Sequence, residues 1–136
     1  MGLAERRAVE EFKTKHLPAL QKEINAAAFF EVTLDVKWDT VTLSPGYSLV
    51  DYPEWVTKIY FTPLVQSFKN ITIDDMGKQA LKEGLKKVVI DGSEGYSYGS
   101  FTFEGGELLL KHKPDTNIDN VEERTEGLTK LLESKL

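Results

Sequence analysis

The sequence predicts an α+β domain over residues 1–136, built on a mainly antiparallel, twisted sheet of about five to six strands. N-terminal and C-terminal helices and a central helical pair are expected on one face of that sheet. Three observations carry this prediction. The apolar period is helical at both ends of the chain and two-residue in several internal segments. Helical segments do not alternate strictly with strand segments, which argues against a doubly wound parallel sheet. The clearest strand alternates apolar and polar residues, as a sheet with one wet face requires.

Residues 4–27 read as the first helix. Val9, Phe12, Leu17, Leu20 and Ile24 share a stripe, and Glu, Arg and Lys fill the other side. Pro18 removes an amide donor and is expected to kink or divide this helix near residues 15–17. Phe30, Val32, Leu34, Val36 and Trp38 then alternate with Glu31, Thr33, Asp35, Lys37 and Asp39 as a strand. Val32, Leu34 and Val36 are expected in the core, met by Phe12, Leu20 and Leu128 from helices. Residues 40–43 extend the strand or begin its hairpin partner.

Residues 44–54 are the least regular stretch. Ser44-Pro45-Gly46 reads as a turn, and Pro53 bars continuous strand pairing. Trp55, Thr57, Ile59 and Phe61 read as one side of a second strand. Thr62-Pro63 then resembles an N-cap with proline at the first position of a short helix carrying Leu64, Phe68 and Ile71. Asp74 is expected to cap a further helix over about residues 75–87, with Met76, Ala80, Leu81, Leu85 and Val88 on its apolar side. Gly77 and Gly84 weaken that helix by roughly 1 kcal/mol each relative to alanine, so packing must hold it.

Val88-Val89-Ile90 reads as a short strand and residues 91–95 as a turn. Residues 98–103 and 108–113 read as a hairpin around Glu104-Gly105-Gly106-Glu107, whose glycines supply the positive φ that tight turns need. The last helix starts near Asn117 or Ile118, with Ile118, Val121, Thr125, Leu128 and Leu132 as its stripe. Asp119, Glu122 and Glu123 near its start and Lys130 and Lys135 near its end complement the helix dipole.

Composition narrows the function. With 40% hydrophobic and 29% charged residues, the chain has the make-up of a soluble globular domain with one core. It contains no cysteine, which excludes disulfides, thiolate metal sites and a cysteine nucleophile. The net charge of −5 is opposite in sign to that of a general nucleic-acid or anionic-membrane binder. The N-terminal stretch lacks an apolar signal core, the uncharged stretch at residues 24–30 is too short to span a bilayer, and Arg6 breaks the myristoylation pattern after Gly2. The expected location is the cytoplasm.

Catalytic patterns are few. Gly95-Tyr96-Ser97-Tyr98-Gly99 matches the G-x-S-x-G nucleophile elbow, which needs a strand-to-helix turn to expose its serine. Here a strand is expected to follow, so the stretch reads as a tyrosine-rich turn entering a hairpin. His16 and His112 have no partner at a metal-ligand spacing. His16 is expected to pack beside the first helix's apolar stripe, and His112, between two lysines, on a solvated strand edge. The carboxylate pairs Asp35/Asp39, Asp74/Asp75 and Asp115/Asp119 each have a structural explanation on a wet strand face or at a helix start. Residues 91–95 offer oxygen donors without the EF-hand ligand series, and no phosphate-cradling glycine motif is present. Lys82, Lys86, Lys87, Lys111 and Lys113 read as solvated surface on an acidic chain.

The unusual stretch is 45–55. Tyr47, Asp51, Tyr52 and Trp55 are the candidate binding residues, because Tyr and Trp give large rigid contact area with a polar tip. Asp51 and Glu54 favour a basic or hydrogen-bond-donating partner. The expected function is that of a small acidic binding or interaction domain without catalytic activity, such as a bacterial accessory or partner protein. The alternative is a small-molecule-binding or enzymatic α+β domain with an aromatic-lined pocket. The partner is a protein or a small molecule, a second copy of the chain included, with neither nucleic acid nor membrane expected. No cofactor and no metal are called for.

Overall fold

The computed structural model describes residues 1–95 and 100–136. Two helices, α1 (Leu3–Lys15) and α2 (Leu17–Ala28), meet at His16. Pro18 accounts for the break: it lies in the first turn of α2, where helical amides have no intrahelical acceptor to lose. α2 ends on Phe29, which holds a left-handed φ of 67° as its C-cap.

The strand that follows, β1, covers only Leu34–Val36. Side chains of α2 explain its short length. Asn25 Oδ1 accepts from Val32 N at 2.9 Å, and Gln21 Nε2 donates to the Val32 carbonyl at 3.0 Å. The Val32 backbone is therefore tied to a helix rather than to a neighbouring strand, although the alternation itself began at Phe30. Val32 is buried, while Leu34 and Val36 are half-buried against the core, where full burial of all three was expected.

The stretch at 55–61 corrects the strand expected there. Residues from Tyr52 to Ile71 form one helical run: α3 (Tyr52–Val56), a π turn (Thr57–Phe61) and α4 (Thr62–Ile71). Tyr52, Val56, Ile59, Tyr60, Leu64 and Phe68 are all buried at steps of three, four or one. That stripe overlaps a two-residue alternation over a short window, so periodicity alone could not separate the two. Thr62 is helical rather than a cap, and its N–H reaches back five residues to the Thr57 carbonyl. Pro63 has no N–H to donate. The helix passes the proline by loosening into a π turn instead of starting afresh.

Next comes α5 (Asp75–Gly84), capped as expected by Asp74, whose Oδ1 accepts from Gly77 N at 2.8 Å. Strands β2 (Lys87–Asp91), β3 (Thr102–Glu104) and β4 (Glu107–Lys111) follow, then α6 (Val121–Lys135). The β3–β4 hairpin turns at Gly105 and Gly106, with φ of 59° and 83°, as the paired glycines required.

The sheet has four strands in the order β1-β2-β4-β3. β1 pairs parallel with β2, β2 pairs parallel with β4, and only β3 runs antiparallel to β4. This overturns the mainly antiparallel sheet of five to six strands. The extra strands were the helical stretch at 55–61 and the unpaired residues 40–43. The direction was misread because alternation reports one-sided burial, not strand polarity. In register, Leu34, Val88, Leu108 and Phe103 form one row on the helix-covered face, and Val36, Ile90 and Leu110 form the next. The other face carries Asp35, Val89, Leu109 and Thr102, flanked by the Lys87–Glu107 ion pair and by Lys111, which pairs with Glu94. A parallel sheet normally needs cover on both faces, and on this outer face Val89 is buried and Leu109 half-buried, while Thr102 is exposed.

α4 packs against α2 and α6, and Phe12 of α1 joins the core through Trp38, Tyr52 and Phe61, with ring centroids 5.8–6.0 Å away. Leu128 is buried as expected and Leu20 half-buried. Among the described residues, no helix is long and apolar enough to cross a membrane.

Candidate functional site

Residues 45–55 are more ordered than their composition implied. Gly46, with φ of 97°, turns the chain, and Tyr47 N donates to the Ser44 carbonyl at 3.3 Å. Ser48 Oγ accepts from Val50 N at 3.3 Å, starting a 3-10 turn over Leu49–Asp51 that runs straight into α3. Pro53 lies in the first helical turn, where it is well tolerated, so it starts a helix rather than barring a strand.

This local helix divides the four candidate residues. Tyr52 is 1% exposed, and its hydroxyl donates to the Val41 carbonyl at 2.6 Å. Burial pushes its pKa upward. It is a core residue and cannot serve as contact surface, contrary to the expectation that it would be partly exposed. Tyr47 is 48% exposed and stands edge-on to the half-buried Trp55, with ring centroids 5.2 Å apart. Asp51 is half-buried at the start of α3, and Glu54 is exposed, 3.6 Å from Lys58. Beside them Val50 is 82% exposed, a large apolar side chain that the sequence reading passed over.

A second feature lies at the carboxyl ends of the three parallel strands. Residues following β1, β2 and β4 enclose a cleft of about 420 Å3, which Asp39, Thr42, Ser44, Ser93, Lys113 and Asp115 help to line. Its walls are tied together. Thr40 Oγ1 accepts from Gly92 N at 2.9 Å, and Asp115 Oδ2 accepts from Ser44 N at 2.6 Å. Asp91 Oδ1 accepts from Ser93 N at 2.9 Å. Burial alone would raise the Asp91 pKa, but the hydrogen bonds from Ser93, the Lys111 charge and Thr40 outweigh it and hold the carboxyl below its usual value. Gly92 is required here, since a Cβ would meet the Thr40 carbonyl oxygen at 2.5 Å.

Neither histidine lies at a surface strand edge with a free base role. His16 is exposed at the α1–α2 junction, 5.5 Å from the Phe12 ring. His112 is fully buried, correcting the solvated edge expected for it. Its Nδ1 donates to the Lys113 carbonyl at 2.6 Å, and its own carbonyl accepts from the Tyr60 hydroxyl. The serine of the G-x-S-x-G match lies outside the described residues, as do Tyr96, Tyr98 and Gly99. Among the described residues, no three His, Asp or Glu side chains converge as metal ligands.

Arg124 is the buried polar group that the sequence reading missed. It is 1% exposed on the core side of α6, four residues before Leu128 and eight before Leu132. That spacing was the available signal. Nη1 donates to the Asn117 carbonyl at 2.6 Å, and Nη2 donates to the Ile118 and Lys58 carbonyls at 2.7 and 3.2 Å. Burial lowers its pKa, opposed by the charges of Asp119 and Glu123 and by Tyr60.

Comparison of the chain with models of known families, with characterised proteins and with solved structures finds no match in any of the three.

Proposed function

We propose that this chain is a binding module rather than an enzyme, and that it engages a basic protein segment through the ridge formed by Tyr47, Val50 and Trp55. The observation that carries this reading is the 82% exposure of Val50, which lies in sequence between the two members of the edge-on Tyr47–Trp55 pair. A large apolar side chain left in water contributes little to folding, whereas a partner that covers it gains its burial. Tyr47 and Trp55 already restrain one another, so little side-chain entropy is lost when a partner orders them. Asp51 and Glu54 flank the ridge, and the whole chain carries −5. Both features favour lysine- or arginine-bearing partners and make the attraction weaken as salt rises. The burial of Tyr52 confines the ridge to three residues.

The test is selection from a random displayed-peptide library, repeated with Tyr47→Ala and Val50→Ser proteins. The reading expects enriched peptides with an apolar residue flanked by Lys or Arg, bound by the parent protein and lost with either variant. Enriched peptides that bind both variants as well as the parent, or that are acidic, would refute it.

A further inference from the structure

We infer that the cleft at the carboxyl ends of β1, β2 and β4 is a binding site for a small zwitterion bearing both an ammonium and a carboxylate group, the chemistry of a free amino acid. The inference does not depend on the Tyr47–Val50–Trp55 ridge. It begins with location. Parallel strands end together, and the loops that leave them diverge, so ligands of open sheets with parallel strands collect in the crevice beyond those ends. Here all three parallel strands contribute: residues 39–45 after β1, Gly92 and Ser93 after β2, and residues 113–115 after β4.

The cleft is also held open by its own bonds. The Thr40–Gly92 contact joins the end of β1 to the end of β2, and the Asp115–Ser44 bond joins the end of β4 to the turn after β1. Lys113 N donates to the Gly95 carbonyl at 2.8 Å. These ties fix the walls before any ligand arrives, which removes part of the ordering cost of binding.

The lining then selects the ligand. Asp39 and Asp115 face a volume of about 420 Å3 together with Lys113 and the hydroxyls of Thr42, Ser44 and Ser93. A purely anionic ligand meets two carboxylates, and a polycation meets the Lys113 ammonium. A ligand of both signs matches both. Lys113 and Asp115 both line the cleft, so side chains of opposite sign are available to the two poles of one small molecule. One oxygen of Asp115 is already taken by Ser44 N, and its other oxygen remains to accept from an ammonium.

The experiment is an amide-resolved NMR titration of the whole chain with each free amino acid, and with the α-N-acetyl and α-amide forms of those that bind. Saturable shifts confined to Ser44, Gly92, Ser93 and their neighbours are expected for at least one free amino acid, and are lost on capping either pole. Asp115→Asn keeps an acceptor for Ser44 N but removes the charge, and is expected to weaken binding by about tenfold or more with the rest of the spectrum unchanged. Asp39→Asn gives the same direction without touching the Ser44 tie. Absence of saturable shifts into the millimolar range, capped forms that bind equally well, or shifts centred on Tyr47 and Trp55 would each overturn the proposal.

Discussion

Arg124 Nη2 donates to the Lys58 carbonyl across 3.2 Å, and that carbonyl is one that Pro63 leaves without a helical donor. In α register Lys58 would accept from Thr62 N, but Thr62 N is committed to Thr57. In π register it would accept from residue 63, which is proline and has no N–H. A buried carbonyl left unpaired costs as much as a lost hydrogen bond. The guanidinium of α6 thus completes the helix that passes the proline, and the same fork holds the Asn117 and Ile118 carbonyls at the approach to α6.

Arg124→Ala is therefore expected to lower unfolding free energy by about 2–4 kcal/mol, since three carbonyls lose their donor together. Arg124→Lys is expected to recover little, because a lysine cannot reproduce the planar fork. In a Pro63→Ala background, where residue 63 regains an N–H, the Arg124→Ala loss should shrink by about 0.5–1 kcal/mol. Urea titration of the parent, the three single variants and the Pro63→Ala/Arg124→Ala double variant reads all three values. A loss below about 0.5 kcal/mol for Arg124→Ala would show that the fork is not a structural link.

The half-burial of Leu34 sets a second expectation. Ile90 sits at the middle of the sheet with no exposure, so Ile90→Ala is expected to cost about 2–5 kcal/mol. Leu34 lies on the edge strand and touches the core with only part of its side chain. Leu34→Ala is expected to cost about 1–2 kcal/mol, because less area returns to water. Equal losses in denaturant titration would mean that β1 is buried more deeply than its edge position provides.

These two sites mark what could be read from sequence and what could not. The division of the first helix at Pro18, the Asp74 cap, the Gly105-Gly106 hairpin and the burial of Phe12 and Leu128 all follow from local chemistry, and local chemistry is visible in one sequence. Strand direction is not local: the pairing of Leu34 with Val88 depends on how residues 37–86 cross over, and that of Val88 with Leu108 on how the chain returns from β2 to β4. The helix at 52–71 was hidden because Pro53 and Pro63 look like breakers until one is placed in a first turn and the other beside a π turn. In the candidate surface, Tyr47 and Trp55 were visible as aromatics in a proline-flanked stretch. The burial of Tyr52 was not, because it depends on a hydrogen bond to Val41 eleven residues away.

Tyr52 and Tyr60 make stability fall in alkali. Both hydroxyls are buried, and burial raises both pKa values above that of an unfolded tyrosine. A group with a raised folded pKa binds its proton more tightly in the folded state, so its contribution is complete below the unfolded pKa of about 10 and is lost as pH rises above it. Each tyrosine is expected to add a slope of about 1.4 kcal/mol per pH unit in that range. Tyr60→Phe should remove one such slope while costing about 1 kcal/mol at neutral pH through its lost bond to the His112 carbonyl. Chemical denaturation at a series of pH values above 9 measures this, and an unchanged slope in Tyr60→Phe would assign the alkaline loss to other groups.

Tyr47 and Tyr52 are five residues apart, of one type, and in opposite environments, so they separate contact from folding. Tyr52 fills a core site beside Phe12, with rings 6.0 Å apart, and closes its hydroxyl on Val41. Tyr52→Ala is expected to cost about 3–5 kcal/mol, the range for deleting a buried aromatic ring. Tyr47 touches Trp55 edge-on from the solvent side, and an exposed aromatic pair contributes about 0.5–1.5 kcal/mol. Tyr47→Ala is therefore expected to leave the fold intact at a cost near about 1 kcal/mol, while lowering affinity for a selected basic peptide by at least about 2 kcal/mol. Val50→Ser should lower affinity with almost no change in stability, because its side chain is already in water. Raising salt should weaken the parent complex, and Glu54→Gln should flatten that dependence. If Tyr47→Ala and Val50→Ser both bind the peptide as the parent does, the ridge is not the contact surface.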